Sequence, residues 1–339
     1  MPISSDFNLD SLQKHLDKNL EGFGQILECK KFGDGQSNPT YLLSSSDRKS
    51  VLRKKPLGQL LKSAHAVERE YQVMTALSET SIPVPKTRLL CEDETVIGTA
   101  FFIMEYIEGR IFWNPALPDI DTVQRQGIYK QMAKLLSDLH KVDVQKVGLS
   151  SFGKPGNYYA RQLDRWVRQY HMSETGKISA MDKLIGWLQK NLVEDDQRSC
   201  LVHGDFRLDN MIFDFKHPRI IALLDWELST LGHPYADLAY QCMQLRMPDN
   251  KLLPGLGSCN RKQLGIPSEE EYVDLYCQFS GISSIPHWDF YIAFSFFRFA
   301  AILQGVKKRA IDGNASSNRA YELGELVDPM AQMALESVR

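Results

Sequence analysis

The stretch Leu201 to Glu227 reads LVHGDFRLDNMIFDFKHPRIIALLDWE, and it decides both the fold and the chemistry of this chain. Two short apolar runs are each followed at once by an acidic loop: CLV precedes HGD, and IIALL precedes DWE. Short runs of Ile, Val and Leu bounded by turn residues predict buried strands. Asp205, Asn210 and Asp225 are therefore expected where loops leave strands, a common position for reacting groups held on a rigid scaffold.

These three residues form a set suited to phosphoryl transfer. The carboxylate of Asp205 can orient a hydroxyl or take its proton, and the amide oxygen of Asn210 can ligate a hard cation. Asp225 supplies the charged oxygen that Mg²⁺ prefers beside phosphate oxygens. A base, an amide and a second carboxylate around Mg²⁺ are the parts used in transfer from ATP. Each residue alone is better explained as a turn former or helix cap; the ordered set is what predicts catalysis.

HGDFRLDN resembles the catalytic loop of the aminoglycoside phosphotransferase and choline kinase family, whose members are relatives of the protein kinases. Protein kinases carry H-R-D-x₄-N and D-F-G. Here Gly204 replaces the Arg, and Trp226-Glu227 replaces Phe-Gly, as is usual in the small-molecule branch. A narrower resemblance, to the kinase-like N-terminal region of acyl-CoA dehydrogenase family members 10 and 11, covers nearly the whole chain. It is carried by LVHGDFRLDNMIF, LLDWELSTLGHPYADLAY, VLRKKP and GQSNPTYLL.

The resemblance implies an α+β fold with two lobes, like that of a protein kinase. A small, mainly β N-lobe over residues 1–107 would bind the nucleotide. A larger, mainly helical C-lobe over residues 108–339 would hold the catalytic loop and the acceptor. The length of 339 residues suits two lobes better than one core. Helical periodicity over 122–140, 158–170 and 181–192 indicates a helical insertion at about 119–200.

A glycine-containing turn lies between the strands predicted over 25–32 and 40–44. Backbone N–H groups in such a turn can approach phosphates. Most hairpin turns that contain glycine bind nothing, so this prediction depends on the kinase-like order of the motifs that follow. The candidates are Gly33, Gly35, Gln36, Ser37 and Asn38.

The third predicted strand, over 50–56, carries a cation that kinases use to grip the α- and β-phosphates. Two neighbours compete for this role: Arg53 by its match to the V-A-I-K pattern, and Lys54 by its distance to the glutamate. Alternate strand residues face opposite sides, so only one can face the nucleotide. The pattern favours Arg53. The next helix supplies its acidic partner, Glu70, with Glu68 as the alternative.

The segment MEYIEGR is predicted to leave the N-lobe as a strand and to connect the two lobes. In the family, the backbone of this connection hydrogen-bonds adenine. The resemblance assigns that role to Glu105, Tyr106 and Ile107. Since the contacts come from the backbone, the assignment depends on position alone.

Basic residues in the C-lobe indicate an anionic acceptor. Arg161, Arg165 and Arg168 share one face of a predicted helix. That face either docks an anion, such as a coenzyme A phosphate, or is simply solvated. Arg298 stands in the apolar helix predicted over 288–309, where it lines an acceptor pocket or forms an internal salt bridge. Further candidates are Arg207 and the run Lys307, Lys308 and Arg309.

Together these features predict a kinase that transfers the γ-phosphoryl group of MgATP to the hydroxyl of a small molecule. The narrower resemblance implies that the acceptor is a 4-hydroxyacyl-CoA or a related hydroxy acid. Two alternatives stay open: a choline or aminoglycoside type of kinase, and a non-catalytic pseudokinase that binds nucleotide. The presence of Asp205, Asn210 and Asp225 argues against the pseudokinase, and the lack of concentrated carboxylates in the C-lobe helices argues against an aminoglycoside.

Composition and charge give no support to several other classes of protein. A net charge of -2 and a pI near 6.5 give no reason to expect nucleic-acid binding. The six cysteines include no CxxC pair, which argues against a disulfide framework or zinc site and suits a reducing compartment. The N-terminus lacks a basic-then-apolar signal pattern, so the cytoplasm is the expected location. The apolar helix over 288–309 is expected to be a buried core helix rather than a membrane span.

Overall fold

The structure is a computed structural model that describes residues 6–33, 38–57, 65–250, 252–313 and 319–338. The chain divides into two compact units. Unit 1 comprises Met1–Arg110, Asn210–Phe215 and Ile220–Ser229. Unit 2 comprises Ile111–Asp209, Lys216–Arg219 and Thr230–Arg339.

Unit 1 is built on a five-stranded antiparallel sheet in the order β1-β2-β3-β5-β4. Helix α1, Leu9–Asn19, packs its buried leucines on one face of the sheet, and helix α2, Val67–Leu77, packs near β4 and β5. The first four residues of β5 are all buried, which explains why this strand is an unbroken apolar run in the sequence. The strands are β1 Ile26–Lys31, β2 Thr40–Ser45, β3 Lys49–Lys54, β4 Thr87–Cys91 and β5 Phe101–Glu105.

A β-hairpin from later in the chain also belongs to unit 1. Strands β7, Met211–Phe213, and β8, Ile220–Leu223, pair with each other. The amide of Arg110 donates to the carbonyl of Phe213 at 2.8 Å, and the amide of Leu223 donates to that of Pro83 at 2.8 Å. The sequence-based division at residue 107 left this hairpin in the larger lobe. Backbone hydrogen bonds between segments far apart in sequence place it with the first unit instead.

Unit 2 is mainly helical, with one small two-stranded sheet of β6, Cys200–Val202, and β9, Thr230–Gly232. Three helices precede β6 and fill the predicted insertion. The helices are α3 Thr122–His140, α4 Tyr158–Ser173, α5 Ser179–Lys190, α6 Tyr235–Arg246, α7 Arg261–Leu264, α8 Glu269–Ser280, α9 Trp288–Ile311, α10 Ala320–Gly324 and α11 Val327–Glu336.

Helix α9 forms the centre of unit 2 and packs against α4, α5, α6, α10 and α11. Among the described helices it alone is long and apolar enough to cross a membrane, but 83% of its apolar window is buried. Ile292, Phe296, Phe299 and Leu303 are all buried, which confirms the prediction that this segment is a buried core helix. The apolar run therefore reflects burial among neighbouring helices.

Candidate active site

Arg53 on β3 is the centre of a charged network within unit 1. Its Nε donates to Oε2 of Glu70 at 2.8 Å, and its Nη2 donates to Oδ1 of Asp225 at 2.7 Å. The carboxylate of Glu227 lies 3.9 Å from the same Nη2. The side chain of Arg53 is 12% exposed and that of Glu70 is 2% exposed, so each charge depends on its partner rather than on water.

The pKa directions in this network follow from burial and pairing. Burial alone would lower the pKa of Arg53, but the attraction of Glu70, Asp225 and Glu227 outweighs it and raises that pKa. Burial raises the pKa of Glu70, while the guanidinium of Arg53 acts in the opposite direction. Glu70 therefore relies on Arg53 to remain ionised.

The register of β3 separates the two competing cations, as alternation along a strand requires. Lys54 lies on the other side of the sheet, where its ammonium is 3.7 Å from the carboxylate of Asp6 and 5.8 Å from the ring of Phe7. Glu68 pairs with Lys55 at 2.8 Å. Of the two candidates, Lys54 is therefore ruled out as the phosphate-binding cation, because its side chain is buried away from the Arg53 network.

The structure describes only part of the predicted phosphate-binding turn. Gly35, Gln36 and Ser37 lie outside the described residues. Asn38 is buried just before β2, and its Oδ1 is 3.1 Å from Nδ1 of His65. Phosphate binding by this turn stays a prediction.

The predicted adenine-binding connection follows β5. The amide of Glu105 donates to the carbonyl of Lys86 at 2.8 Å, so this N–H is already used within the sheet. Tyr106 follows the strand, with the ammonium of Lys49 5.7 Å from its ring centre. The adenine contacts of Glu105, Tyr106 and Ile107 stay predictions.

Asn210 and Asp225 both lie at the open end of the unit 1 hairpin, Asn210 before β7 and Asp225 after β8. Asn210 directly precedes β7, and its carbonyl accepts from the amide of Leu224 at 2.8 Å, which ties it to the end of β8. Asp225 has a φ of +63°, in the left-handed region that non-glycine residues seldom adopt and that is frequent at functional sites.

The donor set of Asn210 and Asp225 fits Mg²⁺, because an amide and a carboxylate both offer hard oxygen ligands. Within the described part of the chain, no group of three or more His, Cys, Asp or Glu side chains is placed to hold a metal ion. An ion at this site would take its remaining ligands from phosphate oxygens and water, as Mg²⁺ commonly does.

Asp205 lies in unit 2, in the loop after β6, and buried Asp237 on α6 holds the backbone of this loop. The carboxylate of Asp237 accepts from the amides of His203 at 2.6 Å and Gly204 at 2.8 Å. Burial would raise the pKa of Asp237, but the bond to His140 and the neighbouring donors lower it overall. Asp237 therefore braces the catalytic loop from the first turn of α6.

Arg298 and Tyr240 hold the same loop from α9 and α6. Nη2 of Arg298 donates to the carbonyl of Gly204 at 2.6 Å. The guanidinium lies 5.4 Å from the ring centre of Tyr240 and 5.7 Å from that of Trp166. Among the described residues the partners of Arg298 are thus a carbonyl and two rings, instead of the salt bridge that the sequence suggested as one alternative.

Tyr240 touches Asp205 directly, and no motif in the sequence indicated this. Its hydroxyl hydrogen-bonds the carboxylate of Asp205. Burial, together with the negative charge of Asp205, raises the pKa of Tyr240, so the hydroxyl remains a neutral donor. Tyr240 is the sixth residue of α6 and ends the quoted run LLDWELSTLGHPYADLAY, but the resemblance assigned it no role. Only packing brings it to the loop.

Arg207 folds back onto its own loop. Its Nε donates to Oδ1 of Asp209 at 2.9 Å and lies 3.9 Å from Oδ1 of Asp205. Burial alone would lower the pKa of Arg207, but the attraction of the Asp205 and Asp209 carboxylates outweighs it and raises that pKa. Arg207 thus supplies positive charge beside the predicted base.

A cavity of about 390 Å³ opens beside this loop, and we call it the acceptor cavity. Its wall is largely apolar, with side chains from α6, the segment after it and α9. Among the described residues, the amide nitrogen of Gln244 on this wall is buried without a hydrogen-bond partner. Its lining includes Trp113, Met243, Met247, Leu252, Leu253 and Phe299 as apolar members, and Arg207, Asp209, Tyr240, Gln244 and Arg319 as polar members.

A second concavity of about 470 Å³ lies along α4, and we call it the basic depression. The three arginines predicted to share a face all line it, together with Lys154 and Thr230. Arg161 donates to the backbone carbonyls of Lys154 at 2.6 Å and Pro155 at 3.3 Å. Arg168 pairs with Asp164 on the same helix.

A family model described as the phosphotransferase enzyme family matches residues 28–257. The chain belongs to the phosphotransferase enzyme family. This phosphotransferase is 49% identical to mouse acyl-CoA dehydrogenase family member 10 over 328 residues, which are 96% of the chain and 30% of that protein. It is 41% identical to human member 11 over 335 residues, which are 97% of the chain and 43% of that protein. The chain therefore spans less than half the length of these relatives.

Solved structures agree with this membership. A Ralstonia eutropha protein, named as a candidate aminoglycoside phosphotransferase, is 44% identical, with a TM-score of 0.88 and 98% of both chains covered. Aminoglycoside phosphotransferase APH(4)-Ia, bound to AMP-PNP and hygromycin B, is 15% identical, with a TM-score of 0.62, covering 96% of this chain and 98% of the other. The second likeness concerns the fold alone. The predicted kinase-like α+β fold is confirmed, with a β-sheet N-terminal region and a helical C-terminal region.

Proposed function

We propose that this phosphotransferase is a kinase that moves the γ-phosphoryl group of MgATP to the hydroxyl of a small acyl compound, a hydroxyacyl-CoA or a hydroxy acid. The observation that carries the proposal is the placement of Asp205. Its carboxylate is bonded by Tyr240, and Tyr240 also lines the largely apolar acceptor cavity. A hydroxyl presented from that cavity would meet an oriented carboxylate.

The nucleotide half of the proposal is supported by unit 1. Arg53, held by Glu70, offers a fixed guanidinium suited to the α- and β-phosphates. Asn210 and Asp225 would hold Mg²⁺, which when bound neutralises charge on the transferring phosphate. Arg53 contacts Asp225 directly at 2.7 Å, so the cation for phosphate and the carboxylate for metal belong to one network.

In the transfer step, the acceptor oxygen forms a bond to the γ-phosphorus while the bond from that phosphorus to the β–γ bridging oxygen breaks. ADP leaves with the bonding electron pair. Asp205 orients the hydroxyl and accepts its proton. Since Tyr240 donates to the same carboxylate, Asp205 acts more by holding the nucleophile in line than by strong basicity.

The acceptor cavity favours an apolar acceptor over a polycation. An aminoglycoside carries several positive charges and requires several carboxylates. Among the described residues that line this cavity, Asp209 alone carries a carboxylate, and that carboxylate is already paired with Arg207. The buried amide nitrogen of Gln244 can donate to a carbonyl or carboxylate oxygen of an acyl compound. The relatives named as acyl-CoA dehydrogenase family members also support an acyl acceptor.

The test is ADP release from MgATP by the purified chain with a panel of 4-hydroxyacyl-CoAs, free hydroxy acids, choline and kanamycin. Asp205→Asn would run beside it, with Asp274→Asn on the exposed face of α8 as a control for loss of one carboxylate. We expect release that depends on a hydroxyacyl compound, is lost in Asp205→Asn and is kept in Asp274→Asn. Release with choline or kanamycin alone would overturn the acceptor class. Nucleotide binding without turnover on any acceptor would favour a pseudokinase.

A further inference from the structure

We propose that the basic depression is a second binding site of the acceptor, which takes a phosphate-bearing handle of the kind that coenzyme A carries. The hydroxyl-bearing acyl portion would occupy the acceptor cavity. This inference rests on the proposed function and extends it. It concerns where the acceptor is held, at a place distinct from the reacting hydroxyl.

The charge of the depression suits phosphate groups. Arg161, Arg165, Arg168 and Lys154 line it, against the single carboxylate of Asp164. Asp164 pairs with Arg168 across one turn of the exposed helix face, an arrangement that stabilises little in water. The lining therefore keeps an excess of positive charge.

Arg161 is fixed in place without being neutralised. Its guanidinium donates to the backbone carbonyls of Lys154 at 2.6 Å and Pro155 at 3.3 Å. Carbonyl groups orient the cation but carry no net charge. A phosphate that binds here meets a guanidinium whose side-chain entropy is already partly lost, which lowers the cost of binding.

The wall of the depression is rigid because the loop before α4 packs directly on β9. A Cβ on Gly153 would lie 2.5 Å from Oγ1 of Thr230 and 2.6 Å from the amide of Leu231, so only glycine allows this approach. Thr230 and Leu231 also line the depression. The concavity is thus formed between two packed elements, unlike a basic stripe on an isolated helix surface.

A row of cations and rings joins the two sites. The guanidinium of Arg165, which lines the depression, lies 5.7 Å from the ring centre of Trp166. Arg298 lies 5.7 Å from Trp166 on one side and 5.4 Å from Tyr240 on the other. Tyr240 lines the acceptor cavity and bonds Asp205. These contacts link the walls of the two sites through neighbouring side chains of α4, α6 and α9.

The test compares two acceptors that share the hydroxyacyl group. One is the 4-hydroxyacyl-CoA, and the other is the matching N-acetylcysteamine thioester, which lacks the phosphates. In the double variant Arg165→Gln/Arg168→Gln, the KM for the CoA thioester should rise by about 10- to 100-fold, since two charged contacts are lost. Its kcat and both constants for the short thioester should stay unchanged.

A matched control removes the same number of charges elsewhere on unit 2. Lys183→Gln/Lys190→Gln on exposed positions of α5 should leave both acceptors unaffected. An equal rise in KM for the two thioesters in the arginine variant would indicate a merely structural effect and would overturn the inference. An unchanged KM for the CoA thioester would overturn it as well.

Direct binding separates this inference from the proposed function. Calorimetric titration of coenzyme A into the full chain, with the nucleotide site saturated by MgADP, should show binding that weakens in the arginine variant and with added salt. If such binding occurs without any phosphorylation of hydroxyacyl compounds, the result supports the coenzyme A site at the depression and contradicts the proposed reaction. If both thioesters are phosphorylated equally well and coenzyme A does not bind, the result supports the proposed reaction and contradicts the coenzyme A site at the depression.

Discussion

Glu70 shows at the scale of one residue how burial changes the value of an ion pair. Its carboxylate is 2% exposed and bonded to Arg53, whereas Glu68 and Lys55 form a pair with side chains that are 36% and 25% exposed. Glu70→Ala leaves a buried guanidinium with one partner fewer, so the free energy of unfolding should fall by about 3 kcal/mol. Glu68→Ala should cost under about 1 kcal/mol. Urea unfolding of the two variants, compared with the parent, measures both, and equal losses would contradict the argument.

Tyr240 should act as a positioning residue for Asp205. Tyr240→Phe keeps the ring under Arg298 and removes the hydroxyl that donates to the carboxylate. We expect kcat to fall by about 10- to 100-fold, as for a lost hydrogen bond to a charged group, with an unchanged KM for ATP. Steady-state kinetics with the acceptor identified by the panel experiment would measure this fall in kcat. Tyr321→Phe on an exposed site is the control, and an unaltered kcat in Tyr240→Phe would contradict the role.

His233 should make stability depend on pH. Burial lowers its pKa below the ordinary value of 6.5, although Asp196 acts in the opposite direction. The unfolded state therefore binds more protons than the folded state as the pH falls below that value. The free energy of unfolding should rise with pH through this window, reach its full value above it, and be lost on acidification.

Urea titrations between about pH 5 and pH 7.5 test this, because histidine changes charge in that range. The comparison is with His233→Asn, in which the other histidines remain and the slope should be shallower. A variant with the same slope as the parent would show that His233 contributes nothing to the pH dependence.

At the scale of single elements, the periodic pattern of the sequence predicted helices well. Helix α3 occupies the predicted bounds, and α9 and the strands of the unit 1 sheet deviate by a few residues. The predictions held because each of these elements buries one face, or its whole length, in a core. Helix α8 was not predicted, although Ser268 and Glu271 form a capping box at its start. The short strands β7 and β9 also gave no clear signal, since three residues cannot establish a period.

Helix α9 should be the element whose core residues matter most for stability. Phe296 is 0% exposed at its centre, and Phe296→Ala should lower the free energy of unfolding by about 3 to 5 kcal/mol through lost burial and a cavity. Ile311, at the end of the same helix, is 53% exposed, so Ile311→Ala should change it by under about 0.5 kcal/mol. Chemical denaturation of both variants is the measurement. Similar losses at the two positions would contradict the central place of α9 in the core.

At the scale of the whole molecule, the nucleotide proposal predicts coupling between MgATP binding and thermal stability. A ligand that binds only the folded state at about 100 times its Kd adds about 2.7 kcal/mol, so the melting temperature should rise by several degrees. Removing Mg²⁺ with a chelator, or replacing Asn210 by Ala, should reduce this rise, because Asn210 would ligate the ion. Differential scanning fluorimetry measures it.

The matched control for that experiment is Asp274→Asn, which should show the same rise as the parent. A rise that is independent of Mg²⁺ in the parent, or one that is unaltered in Asn210→Ala, would count against the proposed metal site. A nucleotide that causes no rise at all would count against the nucleotide site as a whole.

The sequence by itself determined the family, the fold class and the candidates Asp205, Asn210, Asp225, Arg53 and Glu70. These follow from local spacing, because each catalytic group is delivered by a short segment whose order along the chain is fixed. The sequence left the choice between Arg53 and Lys54 open. The V-A-I-K pattern favoured Arg53, whereas the distance to the glutamate allowed Lys54. The sheet removed that ambiguity by placing Lys54 beside Asp6 and Phe7.

The tertiary structure alone decided which distant side chains reach the catalytic loop. Tyr240 and Arg298 come from helices far along the chain, and they reach this loop through hydrogen bonds to the Asp205 carboxylate and to the Gly204 carbonyl. The same holds for the basic depression, because the arginines of α4 line a concavity only where β9 supplies the facing wall. Periodicity specifies which face of a helix is buried. It does not specify the neighbour against which that face is buried, because that depends on how the whole chain packs.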